Sequence, residues 1–149
     1  MFIEAENIRK SYGRKNEVLN GASFHAASGE YIAIVGANGC GKSTLLEILA
    51  GSLKADGGSL KIDGKDAFAD AKAFQKYIGF VPQENPLMEK LSVKDNLKFW
   101  YCDTGRNMEA DLLNGVPAVL GVSGYLDKRV DKLSGGMKKR LSICCALAK

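Results

Sequence analysis

The sequence predicts an α/β fold organised around one glycine-rich strand–turn–helix unit, with a small antiparallel β element before it and a helical segment after it. Three observations carry this expectation. Residues 31–51, YIAIVGANGCGKSTLLEILAG, read as an apolar run, a glycine-rich turn and a helix. The chain ahead of them alternates apolar and polar residues around a charged turn. Beyond Pro82-Gln83 the apolar spacing becomes helical.

Taken in order, residues 2–12 set Phe2, Glu4 and Glu6 against Ile3 and Ala5, with Ile8 following, as in a half-buried strand. Tyr12-Gly13 leads into a charged turn at Arg14, Lys15, Asn16 and Glu17. A second strand is predicted over 18–26, turning at Ser28-Gly29. Tyr31, Ile32, Ala33, Ile34 and Val35 carry no charge and favour a strand buried on both faces. Leu45, Ile48 and Leu49 share a helix face, and Gly51 stands where that helix should stop. Asp56-Gly57-Gly58 and Asp63-Gly64 bracket a short strand over 59–62. A helix is expected over 69–76, then an apolar run, Tyr77 to Val81, ended by Pro82-Gln83. Ser92 with Asp95 is a capping-box-like start for a helix whose Val93, Leu97, Trp100 and Tyr101 share one face. Further helices are expected from near Glu109 to Asn114-Gly115 and around Pro117. Ser134 opens the last one, with Met137, Leu141, Cys144 and Ala148 in one apolar stripe.

Composition bounds the function. A chain of 149 residues, 46% hydrophobic and 26% charged, suits one globular domain. Its net charge of +4 suits a polyanionic ligand but does not argue for a nucleic-acid or lipid surface. The start carries Glu4, Glu6, Arg9 and Lys10 with no apolar core of a signal peptide, so a cytosolic chain is expected. The longest charge-free run, 112–126, is too short to span a bilayer. Cys40, Cys102, Cys144 and Cys145 lack metal-ligand spacing, and the adjacent pair on one helix suits neither a disulfide nor zinc. They read as small buried hydrophobes, except Cys40, which lies in the turn near a helix start, where thiol pKa values tend to fall.

Gly36, Ala37, Asn38, Gly39, Cys40, Gly41, Lys42 and Ser43 match G-x-x-x-x-G-K-[ST]. Small residues let backbone N–H groups curl around a phosphate, and the following helix adds its orphan donors and positive dipole end. Lys42 is placed for the β and γ phosphates, and the Ser43 hydroxyl for Mg2+. An ordinary glycine-rich turn could fit the same pattern, but an apolar run before it and a helix after it make a nucleotide-phosphate site the stronger reading. Leu133-Ser134-Gly135-Gly136 before a helix is a second phosphate-friendly device, most often just a cap when alone.

In this order the motifs resemble the ATP-binding cassette (ABC) family of ATPases along the whole chain. The resemblance implies a P-loop NTPase core with an N-terminal antiparallel β element and a helical subdomain at about 86–136. It makes Tyr12 the adenine-stacking aromatic and Gly36 to Thr44 the Walker A loop. It makes Gln83 the Q-loop glutamine, near Mg2+ and the attacking water, and Ser134, Gly135 and Gly136 the phosphate-contacting part of the signature. Bare alternatives are a turn tyrosine for Tyr12 and a solvated amide for Gln83. His25 pairs with no nucleophile and is read as structural.

Met137 stands where the family commonly has glutamine, and LSGGMKKRL resembles ATPases of drug, polysaccharide and haem exporters. The Walker B strand, with its Asp and Glu, and the switch histidine have no counterpart here. Residues 1–149 are therefore expected to be part of a cassette, truncated before the Walker B strand, that binds ATP with Mg2+ without efficient hydrolysis. The resemblance further implies a central parallel sheet holding the runs 31–35 and 77–81 as non-adjacent strands. It implies transmembrane transporter subunits and a second, head-to-tail cassette as partners, at the cytoplasmic face of the membrane, with no nucleic acid. A soluble cassette ATPase acting on ribosomes or nucleic acid is the alternative: the chromosome and repair type is disfavoured because no sustained heptads separate Lys42 from Ser134, and the ribosomal type, more weakly, because by resemblance it normally carries two cassettes on one chain. A non-hydrolysing regulatory module is the other.

Overall fold

The computed structural model describes residues 2–13, 16–75, 77–84 and 86–148. They divide into two compact units, Met1–Ile78 and Gly79–Lys149, each with its own core.

In the first unit, β1 (Phe2–Tyr12) and β2 (Asn16–Ala27) pair antiparallel. β3 (Gly57–Ile62) joins the other edge of β1, and the short β4 (Lys65–Asp66) pairs with β3, giving the order β2-β1-β3-β4. Arg14 and Lys15 of the predicted turn lie outside the described residues, and Asn16 and Glu17, expected in that turn, belong to β2 instead. Ala5 and Ile8 are both buried although three residues apart, which strict alternation forbids. A bulge reconciles them. Asn7 takes a left-handed φ of 54°, its N–H donates to Ser23 Oγ at 2.8 Å, and the register against β2 slips between Ala5 and Ile8.

Helix α1 (Lys42–Leu49) buries Leu45 and Ile48 with Ala5, Ile8, Leu19, Leu60 and Ile62 of the sheet. It stops as expected: Gly51 adopts φ 72° and its N–H donates to the Ile48 carbonyl at 3.0 Å. Helix α2 (Ala71–Gln75) is shorter than the predicted 69–76, of which Lys76 lies outside the described residues. Its Gln75 Nε2 donates to the Gly51 carbonyl at 2.7 Å, tying α2 to the end of α1.

The strands expected at 31–35 and 77–81, and the parallel sheet expected to hold them, are not found among the described residues. Residues 31–35 join no ladder, and instead of being buried on both faces Tyr31 is 102% and Val35 86% exposed. Only Ile34 reaches the first core. Residues 77–81 are likewise outside any ladder, and every ladder among the described residues is antiparallel. The physical reason is that β-branched composition supplies propensity, whereas a strand also needs a neighbour for its N–H and C=O groups.

The second unit is helical: α3 (Val93–Tyr101), α4 (Met108–Asn114), α5 (Val116–Val119) and α6 (Gly135–Ala146), with 3-10 turns at Val122–Tyr125 and Val130–Lys132. Ser92 caps α3 as predicted, accepting the Asp95 N–H at 3.1 Å and donating to the Asp95 carboxylate at 2.6 Å. Asn107 caps α4 by accepting the Ala110 N–H, and Pro117 sits in the first turn of α5. Val93, Leu97 and Tyr101 meet Leu141 and Cys144 of α6, and Ala148 just beyond its end, in one core, with Met137 and Trp100 partly buried against it. Cys144 and Cys145 are free and buried, as their reading as small hydrophobes requires, whereas Cys102, read the same way, is exposed. Burial pushes their thiols up to about 11 and about 12. No helix among the described residues is long and apolar enough to cross a membrane.

Candidate functional site

The glycine-rich turn connects residues 31–35 to α1, and two features shape it. Gly41 adopts φ 94°, and a Cβ there would stand 2.8 Å from both Leu19 Cδ2 and the Val18 carbonyl, so only glycine lets α1 start this close to β2. Gly39 also takes a left-handed φ, of 81°. Lys42 then folds its ammonium back over the turn, donating to the carbonyls of Gly36 at 2.9 Å and Ala37 at 2.8 Å. Cys40 Sγ lies 3.8 Å from the same ammonium and is exposed, unlike Cys144 and Cys145.

The start of α1 differs from the other long helices. Side chains of Ser92, Asn107 and Ser134 cap α3, α4 and α6, whereas Gly41 offers α1 no side-chain cap. The first N–H groups of α1 are thus left for an external acceptor. Ser43 is exposed and Thr44 half-buried at this end. An uncapped helix start, a curled backbone from Gly36 through Ala37, Asn38, Gly39 and Cys40 to Gly41, and one ammonium together form a cradle for a multiply charged anion. These residues therefore fit a nucleotide phosphate. Among the described residues no cluster of three acidic, histidine or thiol side chains could hold a metal ion.

The remaining predicted residues belong to other elements. Tyr12 ends β1, paired with Asn16, and is 47% exposed. His25 is exposed and stacks on Phe2. Gln83 and Ser134, Gly135 and Gly136 belong to the second unit and are exposed. Ser134 accepts the Met137 N–H at 3.3 Å, so its hydroxyl serves as the cap of α6.

Sequence reasoning missed what holds the Gln83 segment. Lys139 Nζ, in α6, donates to the Pro82 carbonyl at 2.8 Å. Lys138 pairs with Glu89 at 2.8 Å, and buried Asn96 bonds Met88 through both its N–H and its carbonyl. These partners are too far apart in sequence for local patterning to link the lysines to them; only the unassigned charges beside Met137 marked the place.

Comparison with known proteins agrees with the motif order. The family model described as ABC transporter matches residues 19–149. The chain is 37% identical over 151 residues to the bacitracin export ATP-binding protein BceA of Halalkalibacterium halodurans, covering 95% of this chain and 60% of that protein. It is also 37% identical over 154 residues to the sulfate/thiosulfate import ATP-binding protein CysA 1 of Chromobacterium violaceum, covering 99% and 42%. The chain thus spans about half the length of the curated relatives it matches. Among solved structures, the dimeric post-hydrolysis state of an ATP-binding cassette bound to ADP and Pi superposes with a TM-score of 0.79 at 25% identity, over 98% of this chain and 69% of that one. The sheet-and-helix architecture, the glycine-rich turn before α1 and these likenesses converge: the chain belongs to the ABC transporter family.

Proposed function

We propose that residues 1–149 form the ATP-binding part of a cassette that powers a membrane transporter, with a helical subdomain at about 86–136. The observation that carries this is Lys42, held over the Gly36 and Ala37 carbonyls beside an uncapped α1. In this reading the turn from Gly36 to Gly41 and the start of α1 would hold the phosphates, with the Lys42 ammonium as their cationic partner. Ser43 and Gln83 would hold Mg2+ through side-chain oxygens, Thr44 would complete the loop, and Tyr12 would stack on the base. MgATP supplies the phosphoryl group whose loss drives the cycle; the side chains bind and orient it.

Transport, hydrolysis by the whole protein, the head-to-tail partner cassette and the transmembrane subunits at the cytoplasmic face belong to the same proposal. In it Ser134, Gly135 and Gly136 face the Lys42 loop of the partner cassette. Relatives named for export and for import match at equal identity, so the preference for export rests on LSGGMKKRL alone.

Calorimetric titration with MgATP tests the core of this. Lys42→Ala should weaken binding by about 1.5–3 kcal/mol, the worth of a charge-assisted contact. Unchanged affinity in that variant would overturn the assignment.

A further inference from the structure

We infer that Lys139 is a positioning residue for Gln83, coupling the orientation of that glutamine to the helix that begins at Ser134. The inference rests on the functional reading of Gln83 given above. Its structural basis lies wholly within the second unit.

Pro82 has no N–H, so its carbonyl is the one polar backbone group through which the residue preceding Gln83 can be held. The Lys139 ammonium donates to that carbonyl at 2.8 Å in a half-buried setting. Because the peptide is planar, fixing the Pro82 carbonyl also fixes the plane carrying the Gln83 N–H. A half-buried ammonium on a carbonyl makes a stronger bond than a neutral donor would.

The segment after Gln83 is fastened too. Asn96, fully buried, accepts the Met88 N–H at 2.8 Å and donates to the Met88 carbonyl at 3.1 Å, and Glu89 pairs with Lys138. Gln83 itself remains exposed between these anchors. Two of the three anchoring side chains, Lys138 and Lys139, come from the first turns of α6, whose N-cap is Ser134. A shift of α6 is therefore passed to the Pro82–Gln83 peptide through a direct bond. The glutamine and the Ser134 end of α6 should respond to nucleotide as one body.

The test measures the ratio of ADP affinity with Mg2+ to that with EDTA, by calorimetry, in the wild-type chain and in Lys139→Met, Lys139→Arg, Gln83→Ala and the Lys139→Met/Gln83→Ala double variant. Lys139→Met should lower the ratio about tenfold while leaving the EDTA affinity unchanged, and Lys139→Arg, which keeps a cationic donor, should restore it. In the Gln83→Ala background Lys139→Met should have no further effect, because the lysine acts only through the glutamine. An unchanged ratio in Lys139→Met, or additive effects in the double variant, overturns the inference while leaving the nucleotide site standing. Loss of nucleotide binding in the wild type overturns both. If Lys139→Met does not fold, Lys139→Leu takes its place under the same criteria.

Discussion

Gly41 lies so close to Leu19 that an added Cβ would stand 2.8 Å from its Cδ2. The same atom would meet the Val18 carbonyl, which cannot rotate away, and the backbone there has a left-handed φ of 94°. Gly41→Ala should therefore cost about 2–4 kcal/mol, from backbone strain and overpacking together. Gly64 is the control. It has φ 76° and a Cβ added there would meet nothing within 4 Å, so Gly64→Ala should cost only about 1 kcal/mol. Urea denaturation of the two variants measures the difference; equal losses would mean that the contact with β2 contributes nothing.

Asn96 is the other side chain on which much local order depends. It is fully buried and makes three hydrogen bonds, two with Met88 and one to the Ser92 carbonyl. Asn96→Leu keeps the volume but strands the Met88 N–H and carbonyl, and should cost about 2–4 kcal/mol. Hydrogen exchange at Met88 should rise well above its wild-type rate. A variant as stable and as protected as the wild type would show that the loop is held by its other anchors alone.

What the sequence made legible is what depends on neighbours along the chain. Ser92 with Asp95, Pro117 in the first turn of α5, and Gly51 at the stop of α1 each act through residues one turn away, and each is found where expected. The glycine-rich turn was legible for the same reason, since turn, lysine and helix start are contiguous. Residues 31–35 and 77–81 were misread because strand formation is decided by a distant partner, not by Ile32, Ile34 and Val35 themselves. The bulge at Asn7 had a faint signal, the parity break between Ala5 and Ile8, which only the paired strands explain. The bond from Lys139 to Pro82 left no signal at all beyond an unexplained charge.

The exposed run at residues 31–35 leads to a prediction about solution behaviour. Tyr31, Ile32 and Val35 are 102%, 50% and 86% exposed on a segment with no charge and no ladder. Such a segment can pair with another chain. Residues 1–149 should show concentration-dependent association by sedimentation velocity, and Ile32→Lys with Val35→Lys should abolish it, because charges on a free edge oppose pairing. A wild-type chain that sediments as a monomer at all concentrations would refute this.

Alkali should unfold the protein earlier than its surface charge alone would. Cys144 and Cys145 lie 1% exposed in the second core, and burial raises their thiols from the ordinary value of 9.0 to about 11 and about 12, the neighbouring Cys144 adding to the shift of Cys145. The folded state thus keeps both protons over a range where the unfolded chain has already lost them. With fewer protons bound in the unfolded state, stability falls as pH rises. The thiol contribution is complete below pH 9 and is lost progressively from there toward pH about 11 to 12. Tyr101, raised chiefly by burial and then by its bond to Asp111, and Tyr125, raised by burial, act in the same direction, but only above the ordinary phenol value of 10.0. The interval just above pH 9 therefore isolates the thiols. Urea midpoints measured through that interval should decline in the wild type, and the decline should flatten in the Cys144→Ala/Cys145→Ala variant, whatever that variant loses in absolute stability through its smaller side chains. An identical slope in the two proteins would mean that the thiols are not held neutral by the core.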